Sequence, residues 1–345
     1  MRPILTFITT LALALGGEAS LAQTQIKIAT LAPQNSSWAE QFRAASDTIG
    51  DRTQGRVKLK FYWGGAQGNE QKVLQKIKIG QLHGGTFSPT DFQEQYPDLN
   101  IYGLPFLFEN FAEVEYVRQQ MDRRLVDGFD DRGFQTFGFA SGGFAYVLSN
   151  QPVRGHGDLI GKKVWLPQGD LISYEAMKSL QLSPVPLPIT DVLTGLQTGL
   201  IDIVAIPPVV ALALQWHTKV KYLTQVPVLF VVGFMAIDER VINKLDPADR
   251  AVVAEVLRDV YVDVNAASAA ESENATQALL SVGIEDVKPA EGEFERIRSS
   301  LVATNRQMAE KGMFSAAMYD EIRQHIEDFR SGLAADSAAS TGGSN

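Results

Sequence analysis

The chain has 345 residues, 45% hydrophobic and 21% charged, a globular composition long enough for two lobes with separate cores. Its net charge is -9 and it carries no basic run, which argues against nucleic acid and anionic membrane surfaces as partners. It has no cysteine, so neither disulfides nor thiolate metal ligands are available.

Residues 1–22 read as a cleavable secretory signal. Arg2 supplies the charged end, residues 4–15 the apolar region, and Ser20-Leu21-Ala22 a small-x-small cleavage site. The apolar run is shorter than the ~20 residues that span a bilayer. An exported, cysteine-free, acidic protein suits a bacterial periplasm, with stability resting on core burial.

Residues 25–30 alternate apolar and polar as a first strand, followed by a helix carrying Trp38, Phe42, Ala45 and Ile49. Residues 57–63 alternate again. The loop GGAQGNE then precedes a helix with Val73, Leu74 and Ile77. This loop lacks both the Lys-Ser/Thr pair and the GxGxxG spacing of phosphate-binding loops. A short strand is expected over 84–88, an apolar loop LPFLF over 104–108, a helix over 112–129, and strands over 134–139 and 144–148.

The stretch GKKVWLPQGD (161–170) is the most informative. Val164, Trp165 and Leu166 form a strand that Pro167 closes, Gly169 frees the backbone, and Asp170 can cap a helix through Leu180. A strand that ends in a turn opening a helix is where open α/β sheets present ligand-contacting side chains. Further strands are expected at 185–187, 201–206 and 228–237, and a helix over 190–199 with Thr190 as N-cap. Asp246-Pro247 opens the clearest helix, with Asp as N-cap and Pro at the first helical position. If unbroken to Gly283 it covers ~36 residues, or ~54 Å at 1.5 Å each, enough to cross both lobes. Two more helices, near 294–311 and 315–329, lead to a Ser/Ala/Gly tail over 331–345 that is expected to lack structure.

Catalytic chemistry finds little support. The four His residues stand far apart, at no metal-ligand spacing. No GxSxG, HExxH or dinucleotide fingerprint is present. Glu70, Asp91 and Asp170 follow strand ends, where helix capping explains Glu70 and Asp170 as well as ligand contact does. No cofactor, metal or enzymatic activity is expected.

From Gln25 to about Arg330 the order of motifs resembles the solute-binding proteins of TRAP (tripartite ATP-independent periplasmic) transporters, dicarboxylate-receptor type. The matching pieces are SSWAEQF, RTQGRVKLKFYWGGAQGNE, VLQKIKIGQLHGG, LPFLF, DLIGKKVWLP, PITDVLTGLQTGLID, VKYLT and INKLDPADRAVV. The resemblance implies a two-lobe α/β periplasmic binding fold (type II-like) with crossover strands and a long helix spanning both lobes. Lobe I would hold 23–142 and 233–270, and lobe II 143–232 and 271–330. It also implies a cleft that closes on one small molecule, delivery to a TRAP membrane permease, and a monomer.

Three departures from the family pattern bear on the ligand. Where relatives place the Arg that grips a substrate carboxylate, this chain has Trp165. A second Arg site reads Ala145, after Gly143-Phe144, and the Asn of the next strand end is Ile206, before Pro207. A carboxylate moved into a closed cleft costs several kcal/mol unless a cation and hydrogen bonds replace its hydration. Bidentate Arg suits that task, whereas Trp offers ~150–250 Å² of contact and one N–H. The expected ligand is therefore apolar or neutral. Lobe II would contribute Trp165, Phe144, Ala145, Ile206, Pro207 and Asp170, and lobe I Phe87, Asn35, Ser37, Trp38, Glu70 and Ser88. Trp165 and Trp38 could equally serve as core packing, and residues 35–37 as a helix cap. A conventional organic-acid receptor using another cation, a ligand-sensing module for a membrane sensor, and an exported enzyme on the same fold are the alternatives.

Overall fold

A computed structural model describes residues 23–341, with side chains described as far as Gly332; the expected signal over 1–22 lies outside the described residues. Among the described residues ten strands form one sheet: β1 (Thr24–Ala29), β2 (Val57–Tyr62), β3 (Gly84–Phe87), β4 (Phe134–Gln135), β5 (Ala140–Ser149), β6 (Lys163–Pro167), β7 (Ser183–Leu187), β8 (Ile203–Ile206), β9 (Tyr222–Asp238) and β10 (Glu285–Val287). Their order is β2-β1-β3-β9-β5-β8-β6-β7, with β4 and β10 also paired to β9.

Two half-sheets meet on β9. Phe234 to Ile237 pair antiparallel with β3, while Tyr222 to Gly233 pair antiparallel with β5. Outward from this seam β1 runs parallel to β2 and β3, and β6 runs parallel to β7 and β8. Each half therefore has the parallel, helix-covered character that its apolar strands require. The close β3–β9 approach needs Gly84, because a Cβ there would lie 2.8 Å from the Ala236 carbonyl oxygen. Gly143, at φ +90°, sits in a bulge of β5, where the register slips between Ser141 and Gly143. The double glycine thus lies inside the strand that the sequence places after it.

The helix Pro247–Ser281 has 35 residues and is capped by Asp246, whose carboxylate accepts from the Ala248 amide at 3.1 Å. Val253, Val256 and Leu257 pack into the core of the first half-sheet with Ile26, Phe42 and Met235. Near its other end Leu279 packs with Trp216, Leu148 and Val204 of the second. One rod thus buries side chains in both lobes. Midway, Asn265 Nδ2 donates to the Phe139 carbonyl at 2.9 Å, and Asn265 Oδ1 accepts from the Ser141 amide at 2.7 Å. This pins the helix to the bulged start of β5.

Several expectations are corrected. The strand expected over 134–139 pairs only at Phe134–Gln135. Thr190 does not cap the helix after β7: a short 3-10 turn, Ile189–Asp191, precedes Val192–Thr198, and the Thr190 hydroxyl reaches Asp191. The last helix, Ala316–Thr341, runs through most of the tail expected to lack structure, and 342–345 lie outside the described residues. Among the described residues no helix is long and apolar enough to cross a membrane.

Asn265→Ala removes both hydrogen bonds of the β5 junction and should cost about 1–3 kcal/mol, because the Ser141 amide loses its partner while the Phe139 carbonyl keeps only Arg118. A urea midpoint equal to that of the unaltered protein would show that the junction contributes nothing to stability.

Candidate ligand-binding cleft

Strand ends and helix starts of both lobes converge beside β9, as expected for α/β sheets whose strands point their carboxyl ends at a crevice. Two cavities, of about 210 and 270 Å³, open there and share Glu70, Ser88, Ile189, Val231 and Val232. They form one continuous cleft.

The first cavity is walled on the lobe I side by Asn69, Glu70, Ser88, Asp91 and Asn100. Opposite stand Trp165, Pro167, Gln168, Asp170, Ile172, Met177 and Ile206. Trp165 is 3% exposed. Its ring stands edge-on to Trp216 at 5.1 Å, and its Nε1–H donates to the Leu187 carbonyl at 3.1 Å. The indole thus serves as core and wall at once, and its donor is already engaged. The second cavity is lined by Ser37, Trp38, Phe42, Phe87, Val210, Leu214, Phe234 and Tyr261, with Ser141, Ser268 and Glu271 as polar points.

The ionisable groups in these walls are acids and one tyrosine. Among the described residues no Arg, Lys or His lines either cavity. Burial, and then the nearby Asp91 carboxylate, push Glu70 up to about 7. Burial likewise pushes Asp91 up to about 6, although Ser88 donates to its Oδ2 from both amide and hydroxyl at 2.8 Å. The pair titrates as a unit near neutral pH. Asp170 accepts from the Ser173 amide at 2.9 Å as helix cap, and burial raises its pKa too. None of Glu70, Asp91, Asp170 and Glu271 forms an ion pair among the described residues.

Of the residues expected from sequence, Trp165, Ile206, Asp170, Glu70 and Ser88 line the first cavity, and Ser37, Trp38, Phe87, Glu70 and Ser88 the second. Four line neither. Phe144 is buried between Phe111 and Phe230, at ring distances of 5.2 and 5.1 Å. Ala145 is fully buried on β5. Pro207 is the buried N-cap of the helix Pro208–Ala213, and Asn35 is exposed ahead of the cap residue Ser36. Phe144 and Ala145 are neighbours on β5, and both are buried in the core rather than turned to either cavity. Sequence reasoning did not assign Asn100, Gln168, Ile189, Val231 or Val232. Only the near-continuous apolar run of β9 hinted that a stretch facing the crevice lay there.

A family sequence profile described as "Bacterial extracellular solute-binding protein, family 7" matches residues 28–311. A solute-binding protein of Verminephrobacter eiseniae is 26% identical over 240 residues, covering 69% of this chain and 71% of the relative. The 2,3-diketo-L-gulonate-binding periplasmic protein YiaO of Escherichia coli is 25% identical over 53% of this chain and 56% of its own. Among solved structures, the sugar acid binding protein DctPAm of Advenella mimigardefordensis with galactonate superposes with TM-score 0.82 at 17% identity, over 89% of this chain and 99% of that one. DctP7 of Bordetella pertussis, a receptor binding pyroglutamic acid, gives TM-score 0.80 at 16% identity, over 88% and 99%.

Glu70→Gln tests the electrostatics. An acid whose folded pKa is raised binds its proton more tightly folded than unfolded, so its penalty is absent below the unfolded value and complete above the folded one. Glu70→Gln should therefore raise Tm at pH 8, by on the order of 1–3 kcal/mol of stability, with the gain shrinking to nothing near pH 4. No gain at pH 8 would show that Glu70 is charged and well solvated in the folded protein, and a gain independent of pH would show that it does not come from ionisation of Glu70.

With the fold, the interlobe cleft and a profile spanning residues 28–311, the chain belongs to family 7 of the bacterial extracellular solute-binding proteins, the solute receptors of TRAP transporters.

Proposed function

We propose that this chain is a periplasmic TRAP receptor whose solute is neutral or largely apolar, with polar groups that donate hydrogen bonds rather than carry negative charge. The observation that carries the reading is the absence of any cation among the described residues lining the cleft, where carboxylates stand instead. An acid entering this cleft would lose its hydration, meet like charges and gain no guanidinium, at a cost of several kcal/mol. A neutral guest would gain the apolar faces of Trp165, Ile206, Met177, Phe87 and Trp38. Trp165 adds contact area only, since its N–H is held by Leu187.

On this reading the protein acts as a monomer and does no chemistry on its solute. Residues 23–142 with 233–270 form one lobe and 143–232 with 271–330 the other. It presents its closed form to a TRAP membrane permease. A second reading, a receptor for a small organic acid, is favoured by the acids bound to the similar receptors: galactonate, pyroglutamic acid and 2,3-diketo-L-gulonate.

Thermal-shift titration with small mono- and dicarboxylates, each beside its neutral amide or methyl ester, separates the two. Neutral members should raise Tm while the free acids leave it unchanged at pH 7.5. Micromolar binding of an acid, with no response to its neutral partner, would overturn the proposal.

A further inference from the structure

Glu70 is the one ionisable residue that lines both cavities, at the first turn of the helix Glu70–Lys78. Both cavities are mainly apolar. The first carries Asp91, Asn100 and Gln168 beside Trp165, Met177 and Ile206, and the second carries Trp38, Phe42, Val210 and Phe234 with Glu271 as its own carboxylate. Asp91 is occupied by the Ser88 amide and hydroxyl, and Asp170 by the amide of its own helix. Glu70 accepts from no residue but itself among the described residues and pairs with no cation. A half-buried carboxylate at the junction of the two chambers thus lacks the donor that such a group needs, and unlike Glu271 it borders both.

We infer that the two cavities form one bipartite site for an amphipathic primary amine, its ammonium at Glu70 and its alkyl or aryl body in the chamber of Trp38, Phe42 and Val210. The inference rests on the reading that the solute is not an acid, and narrows it to a cationic head on an apolar body. A compact ammonium fits the junction: it gives three donors, with Glu70 as unoccupied acceptor and the Ser88 and Asn100 oxygens within the same walls. The apolar chamber then sets affinity by length, each methylene leaving water contributing up to about fourfold.

Isothermal titration of the full mature chain with n-butyl-, n-hexyl- and n-octylamine, and with the matching alkanols and alkanoates, tests both halves. Octylamine should bind more tightly than octanol, and octanoate least. Affinity for the amines should climb about two- to fourfold per methylene. Glu70→Gln should weaken octylamine at least tenfold more than it weakens octanol. Val210→Trp, which fills the apolar chamber, should flatten the dependence on length. Equal binding of amine and alcohol, with Glu70→Gln affecting both alike, would overturn the ammonium site while leaving the non-acid reading standing. Affinity independent of chain length would overturn the bipartite arrangement. Octanoate as the tightest ligand would overturn both inferences together.

Discussion

One strand holds this molecule together. Tyr222–Asp238 gives its first two-thirds to the half-sheet of lobe II and its last residues to that of lobe I, so the backbone ladder of either half ends on it. Phe230 and Phe234 face one large aromatic cluster from this strand. Phe234 lies 5.0 to 6.4 Å from the rings of Phe87, Phe92, Phe129 and Phe139. Leu229 to Val232 meanwhile form the floor of the first cavity. The hydrogen bonds that join the lobes and the surface that meets the solute are therefore the same residues. The helix Pro247–Ser281 braces this seam from behind, with the clasp of Arg56 on Asp249 near one end and the Leu279 contact near the other.

Charge in the cleft follows from geometry as much as from composition. The net charge of -9 is spread over the chain, and the basic side chains are engaged away from the cleft. Arg118 bonds Asp122 and the Phe139 carbonyl, Arg330 bonds Glu113, and Arg298 bonds Glu109. The carboxylates at the cleft hold no such partners. Burial raises the pKa values of Glu70, Asp91 and Asp170, and no neighbouring cation offsets it. Paired titrating groups at the mouth of a binding cavity are a common mark of function.

Much of the fold was legible because its signals are local. Asp246-Pro247 marks a cap and a first turn that physics leaves little freedom to move, and the helix ends within two residues of the Gly283 stop. The apolar runs of β8 and β9 announced buried strands, and the turn after β6 a helix start. Long-range pairing was less legible. β10 has three residues, two of them acidic, and exists because β9 offers an unpaired edge at Tyr222 to Thr224. Pro227 concealed that β9 begins at Tyr222, since a proline inside a run normally demotes it. In the cleft, strand-end logic found Trp165, Asp170, Glu70 and Ser88. It could not foresee that Phe144 would be taken up by Phe111 and Phe230, nor that Val231 and Val232 would floor the cavity from the seam.

The Trp165–Trp216 contact has an evolutionary consequence. The same indole that lines the cleft is packed into the second lobe, tied to Leu187 and set edge-on to Trp216. Exchange for arginine in one step would unpack the lobe while it changed the wall. Drift at this position is therefore held back by the fold itself, and new wall chemistry is more accessible at cleft positions that carry no such core contact.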